Sequence, residues 1–310
     1  MLDEVVYVIG VDNGNGSVKT VNKRWFSEVK EVENTLTENV IELDGKLYEL
    51  GAKPSEYKAR KFSDEALRVQ TLAAIATELD ARGVSEEQPA IHLALGLPIG
   101  HWGRQKDKIK AYFVPNTEEE FWYKSKFYSI RIADCNVMPQ GLASTRRYRH
   151  KEVGNTITLD IGYGTLDYLT FHNSSLSVDE SGSLEYGISK CYEQVRKAID
   201  KEFAEVMDFF SFENYIRGDR KVVTQKWHPM IDTALKEYCK GVISEAKRIG
   251  YNPNTCSLHL MGGGANIMKV YADLEGVADV SFDLDVHSNA KCFESFCKQA
   301  LRKQGVDFYE

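Results

Sequence analysis

The first apolar run, Val5 to Val11, is rich in β-branched residues and stops at Asp12-Asn13-Gly14-Asn15-Gly16, after which Ser17-Val18-Lys19-Thr20-Val21 resumes it. That pattern predicts strand, tight turn, strand. It recurs downstream, where Ile157-Thr158-Leu159-Asp160 runs through Ile161-Gly162-Tyr163-Gly164-Thr165 into a second apolar run, Leu166 to Phe171. At one fixed offset Asp12 falls on Asp160, Gly14 on Gly162, Gly16 on Gly164 and Ser17 on Thr165. A repeated D-x-G-x-G-[ST] hairpin predicts two related domain cores.

Between the hairpins the pattern alternates between the helical and the extended period. Ser63 can cap a helix whose first turn carries Asp64 and Glu65 and which runs through Leu67, Leu72, Ile75 and Leu79 to Gly83. Ile91, Leu93, Leu95 and Leu97 then alternate as a strand that ends at Pro98 and a loop around Gly100. Glu120 to Ile132 reads as an aromatic-rich hairpin, and Pro139 to Arg149 as a helix with proline in its first turn. The domain crossing is expected at Gly154-Asn155. In the second half, Ile188–Phe203 and Pro229–Ile249 have helical periodicity, the latter stopped by Gly250. Ser257 to Met261 reads as a strand, Gly262-Gly263-Gly264 as a turn, and Ala265 to Leu274 as a helix. A last helix, Asn289 to Lys303, places Phe293, Phe296, Ala300 and Leu301 on one face, suited to packing back on a sheet.

With 310 residues, 43% of them hydrophobic, the chain can bury one large core or two ordinary ones. Lys and Arg number 39 against 46 Asp and Glu, a net charge of −7 that repels polyanions, so no direct DNA binding is expected. The basic run Arg146 to Lys151 reads as a solvated helix end. The start is acidic before its apolar run, unlike a signal peptide, and no stretch reaches roughly 18 consecutive apolar residues, so a cytoplasmic protein with no membrane partner is expected. Cys135, Cys191, Cys239, Cys256, Cys292 and Cys297 show no zinc-like spacing and read as reduced, mostly structural thiols.

The glycine turns point to a phosphate ligand. Glycine permits the positive φ and close approach that let several backbone N–H groups converge on one anion. Gly14, Gly16, Gly162 and Gly164 supply two such turns, neither of which is a Walker loop or opens a helix as a Rossmann glycine motif does. Asp12 and Asp160 each end a strand as a hard oxygen donor suited to Mg²⁺, reached through waters that the ion keeps. Lys19 places a point charge on the phosphates. Gly262-Gly263-Gly264 reads either as a plain turn or as bare backbone against a base or ribose. Gln140 reads either as a first-turn polar residue or as the amide that orients a water on a γ-phosphate. Asp167 reads as a solvent-facing strand residue or as a contact to metal-bound water.

The ordered set VIGVDNGNGSVKT, VMPQGLAS, ITLDIGYGTLDYLTF, LHLMGGGANI and HSNAKCFESF resembles the actin, Hsp70 and sugar-kinase ATPase superfamily. Within it, GLPIGHWGRQKDKIKAYF and the Asn289-Ala290-Lys291 lead into the last helix resemble the ParM-like plasmid-segregation actins in particular. The resemblance implies an α/β actin-like ATPase fold, two RNase H-like domains around a nucleotide cleft. Domain I would take residues 1–153 with about 284–310, and domain II residues 154–283. It implies ATP, with GTP as the alternative nucleotide, and Mg²⁺ near Asp12 and Asp160. Asn13, Gly14, Asn15, Gly16, Ser17 and Lys19 would bind phosphate in the first loop. Gly162, Tyr163, Gly164 and Thr165 would do so in the second, with Gly262, Gly263 and Gly264 on the nucleoside. Gln140, Asp160 and Asp12 would be catalytic. Gln140 stands where the best-known ParM-like proteins have an acidic residue and actins have glutamine. The resemblance further implies head-to-tail filaments that hydrolysis destabilises, and plasmid DNA reached through a ParR-like adaptor on centromere repeats. The competing reading is a small-molecule kinase of the same superfamily, for which only Asp134 or Asp167 could be nominated as acceptor base.

Overall fold

The computed structural model describes residues 5–55, 65–114, 118–142, 154–277 and 279–309. The chain divides into two compact units, Met1–Ala143 with His287–Glu310, and Ser144–Val286.

Unit 1 is built on a nine-stranded sheet of order β3-β2-β1-β7-β9-β8-β5-β6-β4. The strands are β1 (Tyr7–Asn13), β2 (Ser17–Lys19), β3 (Arg24–Phe26), β4 (Val29–Val32), β5 (Val40–Leu43), β6 (Lys46–Leu50), β7 (Ala90–Leu97), β8 (Glu118–Tyr123) and β9 (Lys126–Pro139). β1, β7 and β9 run parallel, so their carboxyl ends share one edge, while the remaining pairs are antiparallel.

Every residue of β1 and β7 is buried, as parallel strands covered on both faces require. On one face Tyr7, Ile9, Val11, Ile91, Leu93, Leu95 and Leu97 join the core of helix α1 (Glu65–Ala81). That helix is apolar on most sides, because it is sunk in the core. On the other face Val6, Val8, Ala90 and Ala94 meet Phe293, Cys297 and Leu301 of the last helix, Ser288–Gln304. Small residues let that helix approach: a Cβ on Gly10 would collide with the Ala290 carbonyl, and one on Gly96 with the Phe293 ring.

Unit 2 carries a five-stranded sheet of order β12-β11-β10-β13-β14. Its strands are β10 (Asn155–Ile161), β11 (Leu166–His172), β12 (Ser175–Leu184), β13 (Cys256–Met261) and β14 (Val280–Phe282). β10, β13 and β14 are parallel, and the β10-β11-β12 meander is antiparallel. Helices α3 (Ile188–Phe203), α4 (Phe209–Ile216), α5 (His228–Arg248) and α6 (Ala265–Tyr271) complete it. β3-β2-β1-β7-β9 and β12-β11-β10-β13-β14 thus share one plan, an antiparallel meander whose first strand begins a run of three parallel strands. The repeated hairpin belongs to that repeated half-sheet.

Three local expectations are corrected. Gly100 lies not in a loop but in the first turn of α2 (Ile99–Phe113), which Pro98 opens directly from β7. Pro139 ends β9, paired with Leu97, because the aromatic hairpin strand continues as a parallel partner of β7. Helix α6 stops at Tyr271 rather than Leu274. Ser63 and Asp64, and the expected helix from Ala143 to Arg149 with the basic run to Lys151, lie outside the described residues. The six cysteines are buried and none is in a disulfide. The last helix, α7 (Ser288–Gln304), packs on β1 and β7 through Phe293, Cys297 and Leu301 and also buries Glu294, while Phe296 and Ala300 of the expected face stay half-buried.

Glu294 belongs to an ion network that joins α1, α7 and β1. Arg82 donates Nη2 to Glu294 at 2.7 Å and to Glu78 at 3.0 Å, and Nη1 to the Val8 carbonyl at 2.9 Å. Glu294 also accepts from the Gly10 N–H at 3.2 Å and pairs with Lys298 at 3.1 Å. Burial alone would raise the Glu78 carboxyl, but hydrogen bonds from Thr20 and Asn22 and the Arg82 charge hold it below its ordinary value of 4.5.

Two outcomes follow. Gly10→Ala should lose about 1–3 kcal/mol of stability in urea unfolding, because the new methyl meets backbone rather than a movable side chain. Glu78→Gln should destabilise by about 1.5–3 kcal/mol at pH 7, because it removes one of the two carboxylates that Arg82 engages and leaves it Glu294. A depressed folded pKa stabilises above the unfolded value, so the gap between wild type and Glu78→Gln should narrow as pH falls below 4.5. A gap independent of pH would contradict the assignment.

Candidate functional site

In unit 1 the expected residues converge at the carboxyl ends of β1, β7 and β9, where open α/β sheets place their ligand loops. The β1–β2 hairpin pairs Asp12 with Lys19 and Asn13 with Val18, leaving Gly14, Asn15 and Gly16 as the turn. The Gly14 N–H donates to the Asp12 carbonyl at 3.0 Å. The Asn15 carbonyl accepts from the Ser55 N–H at 2.9 Å and from the Ser27 hydroxyl, and the Gly16 carbonyl accepts from the Ser27 N–H at 3.3 Å. The turn is therefore fastened through its carbonyls to the segments that follow β3 and β6. Asn13 donates Nδ2 to Thr71 Oγ1 on α1 at 2.9 Å. Ser17 accepts from Arg24 Nε at 3.2 Å.

The Asp12 carboxylate is 2% exposed. Lys19 Nζ lies 2.9 Å from one of its oxygens, and Gln140 Nε2 donates to the other at 2.6 Å. Burying a carboxyl group costs free energy unless such donors compensate its lost hydration. Gln140 is itself buried, and its backbone N–H donates to the Leu97 carbonyl at 2.7 Å. Residues separated by 128 positions thus meet in one cluster of acid, cation and amide.

In unit 2 the second hairpin is built the same way at the carboxyl ends of β10 and β13. Asp160 pairs with Asp167 on β11 and with Met261 on β13. The Gly162 N–H closes the turn on the Thr165 carbonyl at 2.9 Å. The Gly162 and Tyr163 carbonyls accept from the Ile188 and Ser189 N–H groups at 3.0 and 2.8 Å, so the loop lies on the start of α3. A Cβ on Gly187 would strike the Tyr163 carbonyl and Gly164. The Tyr163 ring stands edge-on to Phe209 at 5.1 Å, and burial raises its phenol.

Gly262, at φ +80°, leaves no room for a side chain beside Asp160 Oδ1, and Gly264 none beside the Ile161 side chain. Gly263 lies against Ile188. Gly262 and Gly264 are therefore required by close packing on the end of β10, whereas a Cβ at Gly263 would make only ordinary contact.

Asp167 is 2% exposed, which corrects the solvent-facing reading: Thr165 Oγ1 donates to it at 3.1 Å and Ser183 Oγ donates to its other oxygen. Asp134, the other acid nominated as a kinase base, is engaged by Lys110 at 2.7 Å and by the Cys135 N–H at 2.8 Å. Burial would raise its carboxyl, but the Lys110 hydrogen bond and charge keep it below the ordinary value. A carboxylate so held is a poor proton acceptor. Sequence reasoning missed Thr71, Ser27, Ser55 and Ser183, which hold the loops from distant elements; a lone hydroxyl residue carries no local signal of that task.

Among the described residues no helix is long and apolar enough to cross a membrane, and no group of three or more His, Cys, Asp or Glu side chains is placed to hold a metal ion.

Residues 10–142 match the family described as actin like proteins, N-terminal domain, and residues 158–271 match the archaeal actin homologue MreB-like C-terminal family. No curated protein matches the chain significantly by sequence. Among solved structures, the archaeal actin homologue Ta0583 in complex with ADP is similar at a TM-score of 0.75 and 17% identity, over 95% of this chain and 100% of that one. A subunit of the 15-stranded ParM filament from Clostridium botulinum is similar at 0.75 and 18%, over 95% and 99%. The apo ParM protein of psk41 is similar at 0.67 and 17%, over 96% and 98%. Two half-sheets of one plan, each ending in the same glycine hairpin, together with family matches in both halves, identify the chain as an actin-like protein whose fold is that of ParM and the archaeal actin homologues.

Proposed function

We propose that the chain is an ATPase that polymerises head to tail with ATP and Mg²⁺, that hydrolysis destabilises the polymer, and that the polymer segregates plasmid DNA. The observation that carries the reading is the buried Asp12 carboxylate held between Lys19 and Gln140 at the end of β1. It supports phosphate chemistry because each member has a task there. Lys19 is a cation able to exchange Asp12 for a phosphate oxygen, Gln140 an amide able to orient a water, and Asp12 a hard acceptor for a hydrated ion.

The donor set suits Mg²⁺ in particular, since that ion is commonly held by one or two carboxylates, retained waters and substrate phosphates. Asp12 and Asp160 are the acids that would orient its waters. When bound, the ion would neutralise charge on the phosphates. In this reading Gly14, Asn15, Gly16 and Ser17 cradle phosphate in unit 1, and Gly162, Gly164 and Thr165 do so in unit 2. Similarity to an archaeal homologue solved with ADP, and to a subunit of a ParM filament, supports nucleotide use and self-assembly. Heterologous head-to-tail contacts do not close, so they give filaments. A net charge of −7 favours reaching DNA through a basic adaptor of the ParR type in the cytoplasm over direct binding.

Steady-state ATP turnover tests the chemistry. Asp160→Ala should fall by about 100-fold or more while circular dichroism stays native, and turnover at the wild-type rate would refute the assignment. Gln140→Ala should slow turnover by about 100-fold and leave ATP affinity nearly unchanged. Equal losses in rate and affinity would make Gln140 a binding residue instead.

A further inference from the structure

The Gln140 side chain can serve a water only if its backbone is fixed, and the residue stands on a turn that follows the last residue of β9. Its own amide is tied to the Leu97 carbonyl at 2.7 Å. The next peptide is tied as well: the Gly141 N–H donates to Asn289 Oδ1 at 3.1 Å, within a buried setting. Gly141 has φ +82°, a conformation that side-chain-bearing residues rarely adopt, so local preference alone does not hold this turn. Asn289 is 7% exposed and lies in the first turn of α7, 148 residues further along the chain.

That helical turn is itself anchored next to the phosphate-loop candidate. The Ala290 carbonyl presses on Gly10 of β1, and His287 Nδ1, just ahead of the helix, lies 2.9 Å from the carbonyl of Thr20, just after β2. The start of α7, with the residue before it, therefore touches β1, the residue that follows β2 and the Gln140 turn at once.

We propose that Asn289 is a positioning residue for Gln140: by accepting the Gly141 N–H it sets the turn that aims the Gln140 amide at Asp12. The proposal rests on the ATPase reading above. It assigns Asn289 no contact with nucleotide. Its effect is on the hydrolytic rate, and it acts only through Gln140.

The test compares the full-length chain with Asn289→Ala, Asn289→Asp, Asn289→Ser, Gln140→Ala and the double variant Gln140→Ala/Asn289→Ala. Turnover, KM for ATP and, without nucleotide, hydrogen exchange of the Gly141 amide are measured. Asn289→Ala should lower kcat about tenfold, the effect of losing one buried hydrogen bond, with KM within about twofold. Gly141 exchange should accelerate. Asn289→Asp keeps an oxygen acceptor in a helical first turn that favours negative charge, and should restore the rate and the protection. Asn289→Ser, whose hydroxyl is too short to reach, should behave as alanine does, and carries the comparison if the alanine variant fails to fold. In the Gln140→Ala background Asn289→Ala should cost nothing further.

An unchanged kcat in Asn289→Ala and Asn289→Ser, unchanged Gly141 exchange, or the same fractional loss in the Gln140→Ala background would each overturn the positioning role while leaving the ATPase reading intact. A wild-type chain that does not turn over ATP would overturn both.

Discussion

An aspartate at 2% exposure cannot stand without polar partners, and the arrangement of unit 1 follows from how the Asp12 oxygens are partnered. Its two oxygens take one ammonium and one amide, each from a different element: Lys19 from the adjacent strand, Gln140 from the end of β9. For Gln140 to arrive, β9 must run parallel to β7 all the way to Pro139, and β7 parallel to β1. For those strands to lie side by side they must be covered on both faces, which α1 and α7 accomplish through separate apolar clusters. Sheet order and helix packing in this unit therefore converge on one buried acidic residue.

The second unit solves a similar problem with different partners. Asp160 also ends a fully buried stretch of β10, but its neighbour across the parallel pair leads into the triple glycine, which presses on it so closely that a Cβ at Gly262 would collide with its oxygen. Asp167, opposite Asp160 on β11, is satisfied by hydroxyls from Thr165 and Ser183. The two hairpins share a motif and a place in the sheet, yet only the first pairs its acid with a lysine from its own outgoing strand. That asymmetry suits a division of labour in which the first loop carries the cation.

Much of this was legible in the residue pattern, and the parts that were not have a common cause. The twin hairpins, helix Ile188–Phe203 and the α7 face with Phe293 and Leu301 could be read because short-range periodicity and turn chemistry decide them. Gln140 was legible as a candidate, but its contact with Asp12 spans 128 residues and depends on strand order. Pro139 misled because proline in a helical first turn and proline at the last residue of a strand are locally alike, and the choice is made by pairing with Leu97. Asp167 reads locally as solvent-facing because it is charged, but it lies on the face of Leu169 and Phe171 and is buried with Ser183 of β12 alongside. Asn289 was visible as part of a resemblance, while its task, accepting one backbone N–H from the far end of the chain, has no sequence signature.

The account stands or falls on whether nucleotide chemistry drives assembly. Light scattering and phosphate release recorded together on the purified chain, with Mg²⁺ and ATP against ADP and nucleotide-free controls and no added substrate, test this most directly. The account predicts polymer that appears with ATP alone and decays as phosphate is released. Scattering indifferent to nucleotide, or no phosphate release, would contradict it.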